Sequence, residues 1–109
     1  MNINNVTMVG NLTEDPAAGS LSNGTAANMR VATHVEYTEQ GSGERVKRSD
    51  FFDVEAYGKL AENCLAELTK GDRIVVSGSL RYDEWSDGGG NRRSRAKIRA
   101  GVIGKSLEF

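Results

Sequence analysis

Arg93, Arg95, Lys97 and Arg99 stand at every second position of the segment NRRSRAKIRA, separated by Ser94, Ala96 and Ile98. In an extended chain alternate side chains point to opposite faces, so all four cations share one side. A row of cations at that spacing suits the phosphates of a polyanion, which it matches loosely. Flat side chains that bases of any identity stack on are the other half of such a surface, and Phe51, Tyr57 and Trp85 are candidates for it. Lys59 and Arg81 extend the cationic set. Catalysis is a poor fit: the single histidine, His34, lies in a strand-like pattern with no nucleophile motif beside it, and reads as a surface or interstrand residue. The run DGGG lacks the lysine and helix of a phosphate-binding loop. Cys64 is the only cysteine, so no internal disulfide forms and zinc-ligand spacing is absent. No cofactor and no metal are expected.

These side chains need strands to present them, and the sequence is mostly of that kind. Short alternating segments recur, punctuated by 13 glycines. The first strand is expected at residues 5–12, with Val6, Met8, Gly10 and Leu12 on one face and Asn5, Thr7 and Val9 on the other. Residues 13–24, which contain the only proline, read as a loop. A second strand is expected at 28–37, apolar at Met29, Val31 and Val35, followed by a flexible excursion over 39–48. The third, 49–57, turns Phe52, Val54 and Ala56 inward and Phe51, Asp53, Glu55 and Tyr57 outward. The pattern then changes to a helical period, with Leu60, Cys64, Leu65 and Leu68 on one face and Gly71 as its stop. A fourth strand at 73–80, a flexible turn at 86–91 and the opening segment as fifth strand complete an all-β chain with one short helix.

Cross-strand partners must share a face, and this fixes the register of the last hairpin. Leu80 belongs opposite Ile98 and Gly78 opposite Ala100. The same register sets Trp85 against Arg93, Asp83 against Arg95, Arg81 against Lys97 and Ser79 against Arg99. A shift of one residue would put Leu80 opposite Lys97. Asp83 is therefore expected to pair with Arg95. For any one of these residues an ordinary half-buried strand aromatic, or a cation solvating an edge strand, explains the sequence equally well; the set as a whole fits a binding face better.

Charge distribution supports a localised site. The net charge is only −1, yet residues 1–87 hold 8 Lys/Arg against 14 Asp/Glu, whereas residues 88–109 hold 6 against a single Glu108. A chain of 109 residues is one domain's worth, small enough for self-association to add stability. No apolar run approaches membrane-spanning length and no secretory signal is visible, so a cytoplasmic setting is expected.

Four segments in order carry a resemblance. MVGNLTEDP, GKLAEN, KGDRIVVSGSL and WSDGGGNRR resemble the VGNLxxDP, GKLAE, KGxxVxVxGxL and WxDxxGxxR segments of bacterial single-stranded DNA-binding proteins. The resemblance covers nearly the whole chain as one domain, 1–109. It implies a five-stranded oligonucleotide-binding (OB) barrel with extended hairpins, a homotetramer coating single-stranded DNA in replication, recombination and repair, and no enzyme activity. It implies the bacterial cytoplasm or nucleoid, or a host cell for a viral protein. It also assigns base stacking to Tyr37, Phe51, Tyr57 and Trp85. Parity supports the last three; Tyr37 shares the parity of Val31 and Val35 and needs a bulge or a strand end to join them. Departures from the family pattern are Asp53, Asp83 and Glu84 near the binding face and a basic Lys97. Relatives carry a linker and acidic tip that recruit replication and repair enzymes; here GKSLEF offers only Glu108 and Phe109, so such recruitment is not expected. The alternative from another class is an OB-fold protein-interaction module of the primosome-accessory kind.

Overall fold

The computed structural model describes residues 1–19 and 24–108. Part of the loop expected over 13–24, and the terminal Phe109, lie outside the described residues. The chain order is β1 (Val6–Leu12), β2 (Ala17–Gly19), β3 (Ala26–Thr38), β4 (Arg45–Tyr57), α1 (Gly58–Glu67), β5 (Arg73–Ser86) and β6 (Arg92–Lys105). Five strands close into a barrel. β1 pairs antiparallel with β5, β5 with β6 and β3 with β4; β6 meets β4 in a short parallel contact; β1 also pairs with β3 at Asn11–Ala32 and Leu12–Val31. This strand order is that of an OB-fold. The added β2 lies on the edge of β3, pairing Ala17 with Asn28, inside the region expected to be loop.

Alternation builds the core. Leu12, Ala27, Met29, Val31, Val54, Ala56, Ile74, Val76 and Ile98 point inward from the barrel strands and are buried. Ile74, Ile98, Val31, Val54 and Val76 are the largest fully buried side chains, and each stabilises the fold by about 1.5–3 kcal/mol. The helix contributes Ala61 and Cys64, and its C-cap Leu68 joins them, while Leu60 and Leu65 are only partly buried against the cluster. The small Ala61, rather than either leucine, is the fully buried residue of α1, which packs on β3 and β4. The helix ends at Glu67, short of Gly71. Gly71 instead serves a turn at φ 92°, with its N–H donating to the Leu12 carbonyl at 2.8 Å.

The expected register of the last hairpin is found pair for pair, from Gly78–Ala100 to Trp85–Arg93. The strands are longer than their apolar alternation indicates. β5 runs on to Ser86, β6 to Lys105, and the excursion at 39–48 contributes its second part to β4. Both hairpins project as ribbons beyond the barrel, where neither face is covered and hydrophobic alternation is not required. Leu80, expected inside, stands where β5 leaves the barrel and is 38% exposed.

Closure demands close backbone approach at two glycines. A Cβ on Gly10 would lie 2.5 Å from the Ala32 carbonyl oxygen and 2.6 Å from Val31 Cγ1. A Cβ on Gly78, at the bulge between Ser77 and Gly78, would collide with the Arg99 carbonyl. Gly10→Ala and Gly78→Ala should each destabilise the fold by about 1–3 kcal/mol. Gly104→Ala, where nothing lies within 4 Å, should be close to neutral. Thermal melts of the three variants check this; equal melting temperatures would contradict the closure argument.

Candidate nucleic-acid interface

The β4–β6 contact pairs Val54 with Ile98 and Glu55 with Arg99. Their neighbours on the outward parity therefore form one continuous surface: Phe51, Asp53, Glu55 and Tyr57 from β4, and Arg93, Arg95, Lys97 and Arg99 from β6. β5 extends it with Arg81, Asp83 and Trp85. Phe51 is 52% exposed and Trp85 47%, so both rings are open to solvent on at least one side. Tyr57 is partly buried.

The cations on this surface are largely engaged from within. Arg95 Nε donates to Asp53 Oδ2 at 2.7 Å, across to β4 rather than to Asp83. Asp83 is taken by Lys97, whose ammonium lies 2.5 Å from Asp83 Oδ2 and 2.7 Å from Glu55 Oε2. The expected Asp83–Arg95 pair is thus replaced by two crossed pairs, because β4 brings its own carboxylates alongside β6. Arg93 Nε donates to Asp87 Oδ2 at 3.0 Å. Asp87 also accepts from the N–H groups of Gly89 and Asn91, at 2.9 and 3.0 Å. The backbone bond from Asn91, then Arg93 and the Gly89 N–H, hold its carboxyl below the usual aspartate range, and the turn expected to be loose is tied by one side chain. Lys59 pairs with Glu62 at 3.5 Å on α1. Among the described residues, Arg81 and Arg99 form no carboxylate pair. Arg81 donates to Ser79 Oγ at 3.3 Å, and the Arg99 guanidinium lies 4.7 Å over the Tyr57 ring.

Arg30 belongs to the same surface and was missed in the sequence, where only the apolar parity of its strand drew attention. It sits opposite Asp53, its Nη1 3.5 Å from Asp53 Oδ1 and its guanidinium 5.2 Å from the Phe51 ring centre. The signal was available: Arg30 falls between Met29 and Val31 on the outward side. Two of the three outward aromatics, Phe51 and Tyr57, thus each carry an arginine on the ring. Tyr37 lies elsewhere. The β3–β4 ladder runs from Ala26–Tyr57 to Thr38–Arg45 with no bulge, so Tyr37 keeps the parity of Val31 and stands 47% exposed on the projecting ribbon. His34 is on that ribbon too, its Nδ1 2.9 Å from Ser49 Oγ.

Glu55 is the one buried charged residue among those described, 7% exposed, and Lys97 is its partner. Bonds to Asp83 and then Glu55 raise the Lys97 pKa above its ordinary value. A bond that the Tyr57 hydroxyl donates to Glu55, with burial next, raises the pKa of Tyr57. A lysine clamped by two carboxylates, its side chain only 22% exposed, works as a structural tie. Lys97→Ala removes the cation paired with the buried Glu55 carboxylate and should cost about 1–3 kcal/mol in a denaturant melt. A raised pKa places this contribution in full at neutral pH, and it is lost only as pH rises past the ordinary lysine value through the raised one. A variant as stable as the wild type at neutral pH would contradict the assignment.

Comparison with known proteins agrees with this geometry. A small single-stranded DNA-binding protein from Streptomyces coelicolor is 31% identical and superposes with a TM-score of 0.76, over 98% of this chain and 97% of that one. A Plasmodium falciparum SSB solved in complex with ssDNA superposes at 0.90 over 97% of both chains; at 18% identity it attests the shared fold. The description of the single-strand binding protein family matches residues 3–106, nearly the full length. With its barrel order, its outward aromatics and this match in hand, the chain belongs to the single-strand binding protein family.

Proposed function

We propose that this protein binds single-stranded DNA without regard to sequence and coats it during replication, recombination and repair, as a binding protein and not an enzyme. The observation that carries the reading is the outward surface on which Phe51, Tyr57 and Trp85 are interleaved with arginines. Bases stack on the rings whatever their identity, and guanidinium groups meet the phosphates between them. Family membership and the ssDNA held by the Plasmodium protein support it. Within the site, Arg81 and Arg99 are the leading phosphate contacts because no carboxylate among the described residues holds them. Arg93 and Arg95 follow, each needing to leave an aspartate, and Lys59 lies on the margin beside Tyr57. Lys97 acts by positioning β4 against β6. Tyr37 is reached only by a strand that continues along the β3–β4 ribbon.

Trp85 is the only tryptophan, so its emission reports the site directly. Oligo-dT should quench it, duplex DNA much less. Trp85→Ala should weaken binding by about 1–3 kcal/mol, the range general to one base stacked on an aromatic side chain in proteins of this kind. Arg99→Ala or Arg81→Ala should flatten the salt dependence by roughly 0.7 for each phosphate that is no longer neutralised. Unchanged emission at saturating DNA, with binding confirmed by another method, would remove Trp85 from the site, and a chain that captures protein partners but no oligo-dT would favour the protein-interaction alternative.

The homotetramer is part of the same proposal. The outer face of β1, β5 and β6 carries Thr7, Val9, Val75, Ser77 and Val102, small or apolar residues with Val9 38% and Val102 65% exposed. That face suits a second copy better than solvent. No helix is long and apolar enough to cross a membrane among the described residues, and the bacterial cytoplasm or nucleoid is where unpaired DNA would meet the protein. Sedimentation at micromolar concentration should give a species of four chains; a monomer would refute the assembly.

A further inference from the structure

One carboxylate on the interface holds two of its cations. Asp53 accepts from Arg95 Nε at 2.7 Å and lies 3.5 Å from Arg30 Nη1, while the same Arg30 covers the Phe51 ring. Asp53 borders a groove of about 360 Å³ that Glu55, Asp83, Arg95 and Lys97 also line. To a guanidinium, a carboxylate and a phosphate look alike: both offer a pair of anionic oxygens at matching spacing. In the free protein Asp53 already engages two guanidinium groups that could otherwise meet a phosphate.

We propose that Asp53 is an internal competitor for the DNA backbone and sets both the affinity and the salt response of this face. The inference rests on the reading of the face as a single-stranded DNA site. Incoming phosphate has two courses. If Arg95 and Arg30 stay on Asp53, they neutralise nothing on the DNA and release no counterions. If they transfer, Asp53 remains beside the phosphate as an unpaired like charge. On either course these cations yield less than their full electrostatic contribution. Asp83 competes in the same way for Lys97, but more weakly, since Glu55 keeps hold of that lysine at 2.7 Å.

The test is an oligo-dT titration of Trp85 emission across a salt series, using wild type, Asp53→Asn, Arg95→Ala, Arg95→Ala with Asp53→Asn, and Asp83→Asn. Asparagine keeps the shape of aspartate and removes the charge. Asp53→Asn should steepen the log-log salt slope by about 0.7 for each cation freed. For one cation that corresponds to binding about eightfold tighter at roughly 50 mM salt, fading towards 1 M. The gain should shrink when Arg95 is already alanine, because the beneficiary is gone. Asp83→Asn should give a smaller gain than Asp53→Asn. Thermal melts of each variant separate binding from folding, and Asp83→Asn tests the same ranking at a second carboxylate. If Asp53→Asn binds with unchanged or weaker affinity, Asp53 orients Arg95 for phosphate and the proposal falls. A gain of the same size in the Arg95→Ala background also overturns it. Wild type that fails to bind oligo-dT at all would remove the functional reading itself, an outcome visible before any variant is compared.

Discussion

The short parallel contact between β4 and β6 is the constraint on which the surface depends. Val54 against Ile98 on the inside seals the core, and Glu55 beside Arg99 on the outside is its direct consequence. Once those strands are neighbours, the outward carboxylates of β4 must lie against the outward cations of β6. The barrel closes on its other side, where β1 meets both β5 and β3 and Gly10 leaves no room for a Cβ. Core packing and the placing of the surface charges thus follow from the same pairing.

What the sequence made legible was local. The β5–β6 register could be read because a one-residue slip would set Leu80 against Lys97, and a hairpin brings its partners together along the chain. The outward direction of Phe51, Tyr57 and Trp85 followed from the same parity. What stayed hidden depends on strands far apart in sequence. Asp83 was matched to Arg95 because they are cross-strand partners, but Asp53, 42 residues away, reaches Arg95 from the other side. Strand ends were missed for a different reason: Tyr82 to Ser86, like Arg45 to Arg48, belongs to ribbons that bury neither face, so no alternation marks it. The short β2 has three residues and only Ala and Gly to announce it.

Stacking and charge are arranged differently on this surface. The arginines over Phe51 and Tyr57 keep those rings partly covered in the free protein, at distances where the cation is attracted to the ring face. Trp85 lies beyond the groove on the β5–β6 ribbon, next to a turn braced by Asp87. Solvent reaches both Trp85, 47% exposed, and Phe51, 52% exposed, while on the proposed reading a base stacking on Phe51 or Tyr57 would displace a guanidinium that then becomes available to phosphate. On the proposed reading the groove is the place where a strand would settle by exchange of partners.

That exchange bears on selectivity for unpaired strands. Attraction to phosphate is common to duplex and single strand, and a surface of unopposed cations would hold both. Here the net charge of the chain is −1 and most cations on the face already have a carboxylate, so long-range attraction to any polyanion is small. The stacking proposed for Phe51, Tyr57 and Trp85 is different in kind, because a duplex has its base faces occupied by neighbouring bases and cannot offer them. By holding back the indiscriminate term and leaving the discriminating one intact, the internal carboxylates shift the balance of binding from charge to stacking. Asp53 and its neighbours then weaken the grip on every polyanion but weaken it most, in proportion, for the one that has only phosphates to present.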